Sequence, residues 1–208
     1  TRLILHEAAD DYGEAAFVVD TIQQLLLSNE APGREVAVMY RTNAQSRLME
    51  EAFLRAGLPY RLVGAQRFYG RREVKDMIAY LRMVQNPNDE VSLPRVLNVP
   101  PRGIGDKTLV ALQVAARQAG LGAGELLLDL GRHGTQSQHW KAFSGRGAPL
   151  LADFGAMLVG WRTLEQEQAL PALFDAIVMQ IGYRTYLDDT TEEGQERWEN
   201  VQELRRLA

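Results

Sequence analysis

The chain has 208 residues, a formal net charge of −4 and no cysteine. That length makes one large or two small domains with a proper core, and without cysteine neither disulfides nor thiolate-bound metals are available, which suits a reducing cytoplasm. No uninterrupted apolar run approaches the roughly 18 residues of a membrane span. The opening Thr1-Arg2-Leu3-Ile4-Leu5-His6 has neither a signal-peptide pattern nor an initiator methionine, so no membrane partner is expected.

In chain order, Leu3-Ile4-Leu5 reads as a strand, and Val18, Ile22 and Leu25 mark one face of a helix from about Glu14 to Ser28. Val36-Ala37-Val38-Met39-Tyr40 is a short apolar run of the kind buried in parallel sheets; a helix from Gln45 to Ala56 and a short strand at Tyr60–Val63 follow. Beyond Gly64 helical periods take over, first in Val74, Met77, Ile78, Leu81 and Val84, with Asn86-Pro87-Asn88-Asp89 as the stop. Gly, His, Ser and Gln dominate residues 120–150, which predicts a mobile loop there. Helices are expected again from Leu150 to Glu167, from Leu170 to Ile181, and from Glu193 to the end. Beginning in a strand pattern and ending in a helical one, the chain has the outline of a piece cut from a longer protein. The expected fold class is a partial α/β parallel sheet followed by a mainly α-helical subdomain containing a helix-hairpin-helix-like element.

That element is Pro101-Arg102-Gly103-Ile104-Gly105-Asp106-Lys107-Thr108. Leu93, Val96 and Leu97 recur at helical spacing before it, and Leu109, Leu112 and Ala116 after it. Two glycines permit positive φ and a close backbone approach, while the N–H groups opening the second helix lack intrahelical acceptors and can hold an anion. A nucleotide-binding P-loop requires glycine immediately before the lysine, and Asp106 occupies that place. An ordinary helix–helix turn is the competing account, since such turns often contain glycine. Charge favours a phosphate contact: residues 65–119 carry nine Arg or Lys against five Asp or Glu, whereas 1–64 carry six against nine and 120–208 eight against thirteen. A solvated helix face bearing Arg71, Arg72 and Lys75 would account for part of the same excess.

A second block, Tyr40-Arg41-Thr42-Asn43-Ala44-Gln45-Ser46-Arg47, follows the presumed strand from Val36. Two accounts of it stand side by side. Arg41 and Asn43 could meet a polyanion from one loop at a helix start, or Asn43 simply caps the helix while Arg47 pairs with Glu51 at i, i+4. His133 and His139 are six apart with no carboxylate at ligand spacing, and no metal is expected. Trp140, Phe143 and Trp161 are either core or anchors for a partner protein. No carboxylate cluster suggests a nuclease.

Val36 to Arg47, then Gly64-Ala65-Gln66-Arg67-Phe68-Tyr69-Gly70-Arg71-Arg72-Glu73-Val74-Lys75-Asp76, then Asn98-Val99-Pro100-Pro101-Arg102-Gly103-Ile104-Gly105-Asp106-Lys107-Thr108-Leu109 closely resemble the UvrD/PcrA/Rep group of superfamily 1 DNA helicases. Glu196 to Leu204 is similar to the same group. The resemblance implies that residues 1–64 are the first part of a RecA-like 2A domain, 65–195 a helical 2B subdomain, and 196–208 a helix returning toward 2A. It also implies that Arg41 and Asn43 line a single-stranded DNA track, that Arg102, Gly103, Ile104, Gly105, Lys107 and Thr108 engage duplex DNA, and that Arg67, Phe68 and Tyr69 are hinge candidates. The implied parent is a bacterial, cytoplasmic, nucleoid-associated ATP-dependent 3′–5′ helicase of DNA repair or replication. Its partners would be a duplex with a 3′ single-stranded tail, the remaining domains 1A, 1B and the rest of 2A, and repair proteins. ATP and Mg2+ belong to that parent. With no Walker A or Walker B sequence and no downstream arginine motif, this chain holds no cofactor of its own and is expected not to hydrolyse ATP alone. The alternative is a protein-interaction or autoregulatory module of the same helicase, without independent DNA binding.

Overall fold

The computed structural model describes residues 3–63, 67–143 and 145–208. The chain divides into two units, Thr1–Arg71 and Arg72–Ala208.

The first unit is built on two helices. Helix α1 (Asp11–Leu27) is started by Asp10, whose Oδ1 accepts the Gly13 amide at 2.7 Å, and it buries Ala15, Val19 and Ile22 on one face. Helix α2 (Ser46–Arg55) packs against it. The expected partial parallel sheet is absent: no strand occurs among the described residues, and Leu3–Leu5, Val36–Tyr40 and Tyr60–Val63 are irregular chain without a ladder partner. Leu3, Ile4, Leu5, Met39 and Val63 all lie in solvent. An apolar run becomes a strand only when a neighbouring backbone takes up its N–H and C=O groups, and none of these three segments supplies that to another.

The second unit is helical throughout: α3 (Arg72–Gln85), α4 (Ser92–Val96), α5 (Asp106–Ala119), α6 (Ala123–His133), α7 (Gly147–Glu167), α8 (Leu170–Gln180), α9 (Tyr183–Leu187) and α10 (Glu192–Arg206). Tyr80, Met77 and Met83 of α3 are fully buried, as are Leu126 and Leu127 of α6, Phe154 and Leu158 of α7, and Phe174 of α8. Two buried hydrogen bonds join helices within this unit. Asn200 Nδ2 donates to Glu73 Oε1 at 2.6 Å, tying α10 to α3, and Tyr183 OH donates to Asp76 Oδ2 at 2.8 Å. Arg95 forms an ion pair with the same Asp76 at 2.7 Å.

The mobile loop predicted over 120–150 is instead α6 followed by two short 3-10 turns, Gly134–Gln136 and Trp140–Ala142. Its glycines mark close packing. A Cβ on Gly124 would lie 1.9 Å from the Pro87 carbonyl oxygen, and one on Gly131 would lie 2.2 Å from the Gly155 carbonyl carbon, so α6 and α7 meet backbone to backbone. In the last turns of α6, Asp129 accepts hydrogen bonds from Ser137 Oγ, beyond the helix, and from His133 Nδ1, the latter at 2.8 Å. No helix among the described residues is long and apolar enough to cross a membrane.

Candidate nucleic-acid interface

The loop joining α4 to α5 is held from within by Asn98. Its Oδ1 accepts the amides of Arg102 at 2.7 Å and Ile104 at 3.2 Å, and the Ile104 side chain is buried beneath the loop. Alternation follows: Arg102 and Ile104 face inward, while Gly103 between them and Gly105 after them are exposed. Only Gly103 uses the left-handed freedom of glycine, at φ +78°. Gly105 was expected to share that role; it is extended at φ −86°, occupies the N-cap of α5, and a Cβ there would meet nothing within 4 Å.

The amides of Thr108 and Leu109 both bond to the Gly105 carbonyl, at 2.9 and 3.2 Å. Those of Gly105, Asp106 and Lys107 have no acceptor among the described residues, as the first turn of a helix requires. Lys107 is exposed and has no ion pair among the described residues; Asp106, also exposed, sets a negative charge beside it. The loop therefore presents donors and a cation to solvent, opposed by one carboxylate. The start of α7 adjoins it, with Gly103 beside Leu150 and Gly147 beside Thr108.

Arg102 turns away from solvent. Its Nη1 donates to the Val96 carbonyl at 3.0 Å and, more weakly, to that of Leu97 at 3.5 Å, and its Nη2 donates to Tyr80 OH at 2.6 Å. The guanidinium lies over the rings of Phe154, at 5.1 Å, and Tyr80, at 5.8 Å. Tyr80 OH in turn reaches the carbonyls of Val96 and Val99. Burial pushes the Tyr80 hydroxyl up to about 12, against the downward pull of Arg102. Trp161 packs edge-on against both Tyr80 and Phe154.

In the first unit, Arg41 is exposed, and its amide and that of Thr42 donate to Gln45 Oε1 at 2.9 and 3.0 Å. Thr42, rather than the expected Asn43, takes the N-cap position; Asn43 opens a 3-10 turn, Asn43–Gln45, that leads into α2. Arg47 is buried and pairs with Glu51 at 2.9 Å, as helical spacing allows. Of the hinge candidates, Arg67 is exposed, Phe68 is buried and Tyr69 is half-exposed in a 3-10 turn, Phe68–Gly70. Burial, followed by the nearby Glu51 carboxylate, raises the Tyr69 hydroxyl above its ordinary pKa.

This segment is anchored by Glu50, which the sequence did not single out. Glu50 Oε1 accepts from Ser46 Oγ at 3.0 Å and from the Phe68 amide at 3.3 Å, and Oε2 accepts from Tyr60 OH at 3.4 Å. Arg71 adds a bond to Ser46 Oγ at 2.7 Å and stacks on Phe68. Tyr80, Asn98 and Glu50 escaped sequence reasoning because each lies on a helix or loop that reads as ordinary; only Asn98, a turn-forming residue just ahead of two prolines, carried a signal.

Of the remaining candidates, Trp161 and Phe143 are buried in the core and Trp140 is half-buried. His133 serves Asp129, and no cluster of metal-binding side chains occurs among the described residues.

In sequence, then, a two-helix unit is followed by a helical unit with an exposed, glycine-flanked loop at a helix start. Residues 1–131 match the family of the UvrD-like helicase C-terminal domain, and the chain belongs to that family. Over its whole length it is 37% identical to the ATP-dependent DNA helicase UvrD1 of Mycobacterium tuberculosis, covering 26% of that protein. It is 37% identical to DNA helicase II of Escherichia coli over 96% of the chain and 27% of the relative. The ATP-dependent DNA helicase PcrA of Bacillus subtilis is 34% identical over 98% of the chain and 26% of the relative. The chain thus spans about a quarter of the length of the curated relatives it matches.

Proposed function

We propose that this chain is a DNA-binding part of an ATP-dependent 3′–5′ DNA helicase acting in repair or replication. Residues 1–64 correspond to the first part of domain 2A, 65–195 to subdomain 2B, and 196–208 to the return toward 2A. The α4–α5 loop, with Arg102 at its base, meets the phosphates of duplex DNA through the stretch from Gly103 to Thr108; Arg41 and Asn43 contribute to the single-stranded track; Arg67, Phe68 and Tyr69 serve the hinge. ATP and Mg2+ act in the other domains of the intact helicase.

What carries the reading is the exposed loop itself: three first-turn amides and Lys107 face solvent at a helix start, in a chain similar to DNA helicases along its whole length. Such a surface recognises the phosphate backbone and its shape and carries no base information.

The test is fluorescence anisotropy with a labelled duplex bearing a 3′ single-stranded tail, across a salt series. Non-specific contacts of this kind give dissociation constants of about 10⁻⁴ to 10⁻⁶ M, with a log-log salt slope of roughly 0.9 per phosphate neutralised. Lys107→Glu and Gly105→Val should both abolish binding. Gly105→Val is informative because the backbone there is extended and its Cβ position is open, so the side chain blocks the approach of a phosphate without straining the fold. Unchanged binding by both variants would refute the loop's role and leave a protein-docking or autoregulatory module.

A further inference from the structure

We infer that Arg102 is a positioning residue: together with Tyr80 it fixes the backbone of the α4–α5 loop so that its amides face outward, and it does not itself touch phosphate. The inference rests on the duplex-gripping reading of that loop.

The geometry is that of an internal strut. A guanidinium aimed at a phosphate would extend into solvent, but this one spends its donors on the Val96 and Leu97 carbonyls and on Tyr80 OH, and its plane lies over Phe154 and Tyr80. No carboxylate pairs with it among the described residues. The carbonyls it binds lie at the end of α4, where no intrahelical donor reaches them and Val96 accepts in addition only the Val99 amide at 3.3 Å and the Tyr80 hydroxyl among the described residues. Arg102 therefore joins the end of α4 to α3 and α7 from a point one residue before Gly103, the left-handed residue of the loop.

From the other side, Asn98 Oδ1 holds the amides of Arg102 and Ile104. With those two directed inward, the intervening Gly103 and the following Gly105 are left facing solvent. Tyr80 completes the assembly, because its hydroxyl accepts from Arg102 while reaching the Val96 and Val99 carbonyls. A planar fork that satisfies several acceptors at once is a property of arginine that lysine lacks.

The experiment uses the 208-residue chain with Arg102→Gln, Tyr80→Phe and Lys107→Gln. Duplex affinity is read over a salt series, and backbone amide NMR signals are read without DNA. Arg102→Gln should lose about tenfold in affinity, the scale of one charge-assisted hydrogen bond, while keeping the salt slope of the unmodified chain. Lys107→Gln should instead lower the slope by roughly 0.9, one phosphate contact. Without DNA, Arg102→Gln should shift or broaden the Gly103 and Gly105 amide signals selectively, and Tyr80→Phe, which removes no charge and less packing, should move the same signals.

A slope lowered in Arg102→Gln as in Lys107→Gln would overturn the inference in favour of direct phosphate contact. Loop amides left in place would overturn it equally. Should Arg102→Gln fail to fold, Tyr80→Phe decides by the same signals. Should the unmodified chain bind no duplex, the duplex-gripping reading falls, and the DNA-free amide comparison alone decides the positioning role.

Discussion

Gly155 and Gly160 both lie in α7, and replacing each with alanine should move stability in opposite directions. A Cβ on Gly155 would stand 2.2 Å from the Leu127 carbonyl oxygen and 3.0 Å from the Gly131 amide nitrogen, both backbone atoms. To reach ordinary contact the α6 and α7 backbones must part by about 1 Å, and overpacking of this kind costs about 1–3 kcal/mol or more. Loosened contacts of Leu126, Leu127, Phe154 and Leu158 add to that cost. The gain in helix propensity from Gly to Ala, about 1 kcal/mol at most, offsets only part of it.

Gly160 is exposed, and a Cβ there meets nothing within 4 Å. Only the propensity gain remains, so Gly160→Ala should stabilise by about 0.5–1 kcal/mol. Urea unfolding followed by fluorescence reads this unit directly, because Trp140, Trp161 and Trp198 all lie within it. With a slope of about 2 kcal/mol/M, the Gly155→Ala midpoint should fall by about 0.5–1 M and the Gly160→Ala midpoint should rise. A Gly155→Ala midpoint that rises alongside that of Gly160→Ala would refute the backbone-to-backbone packing of α6 on α7.

Asp106 opposes an anion at the start of α5, and a unit charge a few ångströms away in water costs about 0.5–1 kcal/mol. Asp106→Asn should therefore tighten duplex binding about two- to fivefold by anisotropy at low salt, and the gain should fade as salt screens it. Glu50→Ala would leave the Ser46 hydroxyl and the Phe68 amide without their acceptor, a loss of about 1–3 kcal/mol; faster amide hydrogen exchange at Phe68 is the readout. Burial alone would raise the Asp129 carboxyl, but hydrogen bonds from Ser137 and His133 outweigh it and hold its pKa below the ordinary value. A depressed native pKa stabilises the fold above the unfolded value of about 3.9 and loses that contribution as the pH falls through the native one. The stability advantage over Asp129→Asn should thus be present in urea unfolding at pH 7 and shrink below about pH 4.

Helical periodicity in Val74, Met77 and Leu81 was legible without coordinates, because one face of α3 is built against a core and the spacing of its apolar side chains records that directly. The exposed α4–α5 loop was legible for a similar reason, since glycines between two helical patterns leave a local trace. The strands were misread at Leu3–Leu5 and Val36–Tyr40, where apolar composition says only that a segment could be buried. The helix at Ala123–His133 was misread because Gly124 and Gly131 look like loop residues until the neighbouring backbones are seen.

By itself, then, the sequence determined the helical character of the second unit, the position of the α4–α5 loop and, through its motifs, the helicase family. Those are matters of local propensity, periodicity and residue identity, all written along one chain. Only the tertiary structure decided that Arg102 points inward, that Glu50 holds the segment at Phe68, and that Gly124, Gly131 and Gly155 are contact points. Each depends on a partner distant in sequence, such as Tyr80 for Arg102 or Gly155 for Gly131, and neither spacing nor composition specifies which groups a fold will bring within hydrogen-bonding or van der Waals range.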